Sequence, residues 1–451
     1  MKSDFAEFDF KSQNRLEVNI TPPGDWMLAN LGIDLAAPEF RELPPCKRAQ
    51  YKAVKNWLTM YKPKRDASNL DKIKGYLEAF HHLCQVEDWI RSRKIISTPL
   101  DTPTNEELHH QLSLWGYYRE LIELYNQLLG KLSPNLDAVV LANLGNAYNS
   151  LGNYLQAIDY HQQGLTVFQE IYDRKGEGKA LGSLGNVYYG LGKYFQAIGY
   201  YQQSLSIARE IGDREAERNA LANVGNAYNS LEDYLQAIDY HQQSLSIVRS
   251  IGNRNGEGDA LANLEVAYNS LGNCLHAIGY LQQSLSVARS IGNRNGEGDA
   301  LANLGNGYNS LGDYPQVIDY IEQSLSIFQE MGARNGEGDA LRNLGLAYGL
   351  LKDYSQAIEY LEKSLIVARE IGDRNGEGVA LSNLGVAYYS LGKYPQAIDY
   401  LQQSLTIVRE IGQRWAQERT LLNLCKAFLA LGDYNKAIEC NQQHLALIQQ
   451  T

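Results

Sequence analysis

From residue 136 onward one pattern of apolar and polar positions repeats every 40 residues. Leu141, Leu181, Leu221, Leu261, Leu301, Leu341, Leu381 and Leu421 form one column, and Ile158, Ile198, Ile238, Ile278, Ile318, Ile358, Ile398 and Ile438 form another. No insertion or deletion breaks this register, and self-similarity at such a period marks a stacked array. Within each copy the spacing predicts two helices. In the second copy Leu181, Leu184, Gly185 and Tyr188 lie on one face of the first helix, while Tyr194, Ala197, Ile198, Leu205 and Ala208 lie on one side of the second.

The polar positions supply the punctuation. The stretch 190–193 turns the chain, Gly212 ends the second helix in the left-handed region, and Asp213 caps the helix that follows. Gly185 and Ala197 are small where the two helices of a copy approach closely. Neither helix buries its apolar face alone, so the copies must stack. The eight copies are bounded at about 136–175, 176–215, 216–255, 256–295, 296–335, 336–375, 376–415 and 416–451. The expected fold is all-α, a solenoid of antiparallel helix pairs.

Leu184-Gly185, Tyr188, Gly192, Tyr194 and Ala197 resemble the tetratricopeptide signature, and the likeness recurs through all eight copies. The 40-residue spacing and the connector Gly-Asp-Arg-Asn-Gly-Glu are most similar to the long-repeat type, found in G-protein-signalling modulators and in cyanobacterial repeat proteins. The resemblance implies a right-handed superhelical solenoid that binds a peptide on its concave face.

Residues 1–65 show weak periodicity and two Pro pairs, Pro22-Pro23 and Pro44-Pro45, which predict a loosely structured or partly helical leader tied down by Trp26 and Trp57. Residues 66–135 read as two degenerate helix pairs, at 69–95 and 105–131, with Trp115-Gly116-Tyr117-Tyr118 and Leu121-Ile122 mirroring the later copies. This leader resembles the segment that precedes the repeats in cyanobacterial signal-transduction ATPases, but no phosphate-binding G-x-x-x-x-G-K-[ST] loop occurs in the chain.

Charge narrows the function classes. A formal net charge of -11 and a pI near 5.3 disfavour nucleic acid and anionic membranes as partners; Lys62, Lys64 and Arg65 are the nearest approach to a basic patch. Five scattered cysteines without a CxxC fit free thiols in a reducing compartment, with Cys425 and Cys440 as substitutions at packed positions. The start has no apolar signal region and no run is long enough to span a bilayer, so a cytoplasmic location is expected.

Candidate chemistry is sparse. His81, Cys84 and Asp88 share one helical face, with His109-His110 nearby, but no recurring ligand spacing supports a metal. Asn-Gly-Glu-Gly, at Asn255, Asn295, Asn335 and Asn375, reads as a capped turn rather than a phosphate cradle, because its acid repels phosphate. The column Arg174, Arg214, Arg254, Arg294, Arg334, Arg374 and Arg414 is expected to brace the junctions against nearby Glu or carbonyl groups. His161, His241, His276 and His444 are isolated, and Ser204 and Ser244 stand in a small-residue column. No catalytic constellation and no cofactor follow from these residues.

A second, polar stripe runs along the first helix of each copy, as in Val139, Ala142, Asn143, Asn146 and Asn149. The resemblance places this stripe on the concave groove. One column holds Asn143, Ser183, Asn223, Asn263, Asn303, Asn343, Asn383 and Asn423; the other holds Asn146, Asn186, Asn226, Val266, Asn306, Leu346, Val386 and Lys426. Asn both donates and accepts, as an extended peptide backbone requires, but the same amides can also order the stack. Lys179 adds a cation in copy two; Asp259, Asp299 and Asp339 add carboxylates in copies four to six; Arg342, Arg419 and Lys426 add cations later. The expected ligand is read in segments: backbone contacts first, basic side chains over the aspartates, then an apolar anchor. Lys179 and Arg342 lie too far apart for a chaperone-tail carboxylate clamp. In copy four Glu265, Val266 and Cys274 replace Gly, Asn and Tyr, which predicts a looser joint.

The sequence therefore predicts a non-catalytic scaffold or adaptor for a protein or peptide partner. The alternative is the sensor arm of a signal-transduction ATPase whose catalytic part lies elsewhere. The final helix, near Gln450, has no polar capping helix after it, and its Ile438, Leu445 and Ile448 suit end-to-end self-association.

Overall fold

A computed structural model describes residues 20–64 and 66–448. Among them the fold is all-helical, apart from an isolated bridge between Pro99 and Glu107. The chain divides into two compact units, residues 1–216 and 217–451.

The first unit opens with α1 (Gly24–Leu31), α2 (Pro38–Arg41) and α3 (Pro45–Met60), followed by α4 (Asn69–Gln85), α5 (Trp89–Ile96), α6 (Leu108–Leu114) and α7 (Tyr118–Leu128). The helical repeats begin with α8 (Pro134–Ser150) and α9 (Tyr154–Glu170), then α10 (Arg174–Gly190) and α11 (Tyr194–Ile211). Next come α12 (Arg214–Ser230) and α13 (Tyr234–Ser250), α14 (Arg254–Ser270) and α15 (Cys274–Ile291), and α16 (Arg294–Leu311) and α17 (Tyr314–Met331). The last pairs are α18 (Arg334–Leu350) and α19 (Tyr354–Ile371), α20 (Arg374–Ser390) and α21 (Tyr394–Glu410), and α22 (Arg414–Leu431) and α23 (Tyr434–Ile448). Within each unit consecutive helices pack against one another, so each is a solenoid of helix pairs.

Residues 20–64 are helical and packed rather than loose, the helical side of the expectation for this segment. Met27, Leu28, Leu31, Phe40, Tyr51, Val54 and Leu58 are buried in one apolar core that continues to Leu144 and Ala147. The Pro pairs start helices: Pro23 precedes α1, and Pro45 is the first residue of α3, where a missing N–H goes unnoticed. Trp26 is half exposed, so its neighbours Met27 and Leu28 anchor this segment instead. Tyr76 Oη donates to Pro22 O at 3.1 Å and Tyr51 Oη donates to Asp88 at 2.7 Å. Residues 1–19, Arg65 and Gln450 lie outside the described residues.

Local chemistry explains the helix boundaries. Asp173 accepts from Gly176 N, Asp213 from Ala216 N, Asn253 from Gly256 N, Asn293 from Gly296 N and Asp373 from Gly376 N, all at 2.9–3.0 Å. Each such bond satisfies one of the free N–H groups at a helix start. The Asn-Gly-Glu-Gly segments therefore form the first helical turn rather than a connector before it. Gly212, at φ 71°, closes α11 in the left-handed region. Tyr172 takes the equivalent conformation, φ 58°, without a glycine's freedom.

Candidate peptide-binding face

The two amide columns differ in environment. In the first, Asn143, Asn223, Asn263 and Asn343 are half-buried and Asn303 is exposed. Asn143 engages the buried Tyr125 hydroxyl. Asn383 is buried, and its Oδ1 accepts from Arg419 Nη2 of the next copy at 3.0 Å. Asn143 and Asn383 thus both have partners within the stack. In the second column Asn146, Asn186 and Asn306 are exposed and Asn226 is half-buried. Val266, Leu346 and Val386 stand exposed among them, as does Lys426. Asn186 Oδ1 accepts from Tyr201 Oη at 2.8 Å, which leaves its amide donors for other partners.

Lys179, Asp259, Asp299 and Asp339 are exposed and Arg342 is half-buried, and several of them are already engaged. Arg342 pairs with Asp339 at 2.6 Å, so this aspartate is partly neutralised within its own helix. Asn295 donates to Asp299 at 3.1 Å, and desolvation raises the Asp299 pKa. Lys179 and Asp259 also face solvent.

This face stands on braced junctions. Glu297, nearly buried, accepts from Arg289 at 2.8 Å and from Arg294 at 2.6 Å, and Arg294 reaches on to Glu330. Burial alone would raise the Glu297 pKa, but the two guanidiniums outweigh it and hold it below the usual range. Glu257 and Glu377 are held in the same way by Arg249 with Arg254, and by Arg369 with Arg374. In the first unit Arg174 joins Glu177 and Glu210. For Arg254, Arg294, Arg334 and Arg374 the partner is therefore a buried Glu that is itself part of Asn-Gly-Glu-Gly.

The structure also gives the serine column a specific task. Ser204, Ser324, Ser364 and Ser404 donate to Gly178, Gly298, Gly338 and Gly378 carbonyls at 2.8–2.9 Å, tying the two helices of a copy together. The glycine of Leu-Gly-x-x-Tyr makes room for a ring or a branched chain rather than for Ala197. A Cβ on Gly185 would lie 2.4 Å from the Tyr201 ring, and one on Gly345 would lie 2.6 Å from Leu361 Cγ. His161 and His241 fill the same place in their copies, almost wholly buried; neither His161 ring nitrogen has a partner, and burial lowers both pKa values to about 4. In copy four Glu265 occupies the glycine position, and desolvation raises its pKa.

One recurring feature was not anticipated from the sequence. In each of the first seven copies a pair of tyrosines, such as Tyr148 with Tyr160 or Tyr348 with Tyr360, stacks with ring centroids 5.1–5.6 Å apart. The recurring 12-residue separation of these tyrosines was the available signal. The Asn149 position of the polar stripe is exposed in later copies, at Asn269 and Asn309.

The metal candidate does not assemble. His81 bonds Gln127, Cys84 donates to Ser92, and Asp88 holds Tyr51 and Arg91. Among the described residues no group of three or more His, Cys, Asp or Glu side chains is placed to hold a metal, and no helix is long and apolar enough to cross a membrane.

Comparison with known proteins agrees with this architecture. The tetratricopeptide repeat family profile matches residues 136–210, 176–250, 217–290, 258–330 and 336–410, together more than half of the chain. A profile for anaphase-promoting complex subunit 5 matches residues 385–451. No curated protein matches. Among solved structures, a signal transduction ATPase with numerous domains and a tetratricopeptide repeat sensor, from Pyrococcus horikoshii, aligns at TM-score 0.57 and 15% identity. The alignment covers 96% of this chain and 64% of that one, so this chain spans less than two thirds of its length. The apo quorum sensor NprR from B. thuringiensis aligns at TM-score 0.49 and 14% identity, over 84% of this chain and 100% of that one. Repeat register, helix pairing and family profile converge: the chain belongs to the tetratricopeptide repeat family.

Proposed function

We propose that this chain is a non-catalytic adaptor that holds an extended peptide, or an extended segment of a partner protein, along the amide-bearing faces of its first-of-pair helices. The supporting observation is the difference between the two columns. Asn146, Asn186 and Asn306 point outward at positions where Val266, Leu346, Val386 and Lys426 are equally accommodated. Stacking does not demand Asn there, whereas a peptide backbone uses both its donor and its acceptor. The groove set is Asn143, Asn146, Lys179 and Asn186 in the first unit, and Asn223, Asn226, Asp259, Asn263, Asp299, Asn303, Asn306, Asp339, Arg342, Asn343 and Asn383 in the second. Asn383 contributes by holding Arg419 rather than by touching the ligand. The test is affinity capture with the wild-type chain against an Asn146→Ala/Asn186→Ala/Asn226→Ala variant. Loss of partners from the variant supports the reading; an unchanged set of partners ends it.

A second reading, the sensor arm of a signal-transduction ATPase, is favoured by the alignment of nearly the whole chain with the Pyrococcus horikoshii protein. It predicts that a separately encoded P-loop protein changes its ATP hydrolysis when this chain is added. No change on mixing with the P-loop protein encoded next to this chain counts against it.

A further inference from the structure

The helix α22 carries a stripe unlike that of any other copy. Trp415, Arg419, Leu422, Lys426 and Leu429 follow the i, i+4, i+7, i+11, i+14 spacing of one helix face, and all are exposed. Trp415 is 60% exposed where four other copies carry Asn255, Asn295, Asn335 and Asn375. Most arginines of the junctions are ion-paired with glutamates. Arg419 and Lys426 make no ion pair among the described residues, and Arg419 Nη2 is directed by Asn383. A cationic, apolar face on a chain of net charge -11 is a local reversal of sign.

Beside this stripe, α20, α21 and α22 line a partly open cavity of about 20 Å³ walled by Val379, Val408 and Ala416, with Trp415 and Arg419 also in its lining. Ser382 lines it too. That serine is only 6% exposed and its Oγ has no hydrogen-bond partner. A buried hydroxyl left unpaired is costly, so the cavity favours an incoming polar atom. Its volume admits one water-sized group. The hydroxyl of a serine or threonine meets both conditions, bonded to Ser382 with its carbons left at the mouth of the cavity.

We propose that this face is a subsite for an acidic peptide segment, in which Arg419 and Lys426 pair with carboxylates and the cavity beside Ser382 takes the hydroxyl of a neighbouring Ser or Thr. The proposal rests on the adaptor reading and names the ligand chemistry for its last two copies.

The probe is fluorescein-labelled Gly-Glu-Asp-Glu-Ser-Glu-Asp-Glu-Gly, titrated with the full chain and followed by anisotropy. Binding should weaken with added salt, and the analogue with Lys for every acid should not bind. Lys426→Glu, at an exposed side chain without partners in the fold, should weaken binding about tenfold or more without moving the thermal midpoint. Replacing the central Ser of the peptide with Val should weaken binding, and Ser382→Val in the protein should abolish that preference. Absent binding, equal binding of the Lys analogue, indifference to Lys426→Glu, or equal affinity for Ser and Val peptides overturns the proposal. So does a Lys426→Glu variant that changes only the sedimentation coefficient of the chain, since a second copy would then be the occupant. Loss of partners from the Asn variant with normal peptide binding leaves this subsite standing. Failure of the peptide with intact, Asn-dependent capture removes the subsite and spares the adaptor reading.

Discussion

At the scale of single residues, the sites that depart from the repeat template carry the sharpest consequences. His161 and His241 sit where Leu281, Leu361 and Leu401 sit in later copies, equally buried. Their pKa values fall to about 4 because burial disfavours the charged ring. The unfolded chain therefore binds more protons than the folded one between about pH 6.5 and 4, so stability is intact above that window and declines as pH falls through it. Each histidine should contribute a loss of about 3 kcal/mol by pH 4. His161→Leu should flatten the pH dependence of thermal unfolding, and a variant with an unaltered acid slope would refute this account. Tyr172 holds a left-handed φ of 58° with its side chain 89% exposed, so the ring gives little packing in return. Tyr172→Gly should raise stability by about 1 kcal/mol in denaturant titrations. Glu265 places a carboxyl among side chains that elsewhere face glycine. The joint it forms should exchange its amide hydrogens over 260–280 faster than the flanking copies do, and slower exchange there would contradict that.

At the scale of helices and their junctions, what the sequence disclosed depended on the range of the interaction. Caps such as Asp213 with Ala216, and the left-handed Gly212, are made within a few residues, so a local reading finds them. The pairing of Arg294 with Glu330 spans 36 residues, and the bond from Ser324 to Gly298 spans 26. Nothing local marks such pairs, so the serines looked like mere packing and the arginines like generic braces. In the leader, Tyr51, Val54 and Leu58 do share an i, i+3, i+7 face, but α1 and α2 are short and the burial of Met27, Leu28 and Phe40 depends on helices further along the chain, which a local reading does not supply. For the binding face, the columns themselves were legible but the engagement of Asn383 by Arg419 was not. The buried glutamates give a direct test of the junction. Glu297→Ala removes the common acceptor of Arg289 and Arg294 while both arginines stay solvated, and should destabilise the chain by about 1–3 kcal/mol. Because the folded pKa of Glu297 is lowered, the wild-type advantage is present above the ordinary carboxylate range and disappears as pH falls through it. A difference between the two proteins that persisted unchanged in acid would show that something other than the charged bridge had been lost.

At the scale of the molecule, exposed apolar surface raises the question of association. Ile438, Leu445 and Ile448 of α23 are 57%, 48% and 45% exposed, more than helices of this array leave open where a neighbour covers them. Contiguous exposed apolar surface of this kind marks contact sites. Sedimentation velocity should show concentration-dependent self-association of the wild-type chain, reduced in an Ile438→Glu/Leu445→Glu variant. A monomer at all concentrations, with or without the substitutions, would dispose of the idea.

The regular spacing of the junction chemistry has one more implication. Cutting out residues 296–335 in frame would leave Arg289 and Arg294 facing Glu337 and Glu370 in place of Glu297 and Glu330, the same atoms in the same order. Recombination between near-identical copies can therefore lengthen or shorten this gene by whole modules and still encode a chain that closes on itself at the splice. Variation in such a lineage can be written as a number of modules as readily as by substitution, with recognition surface gained or lost one helix pair at a time.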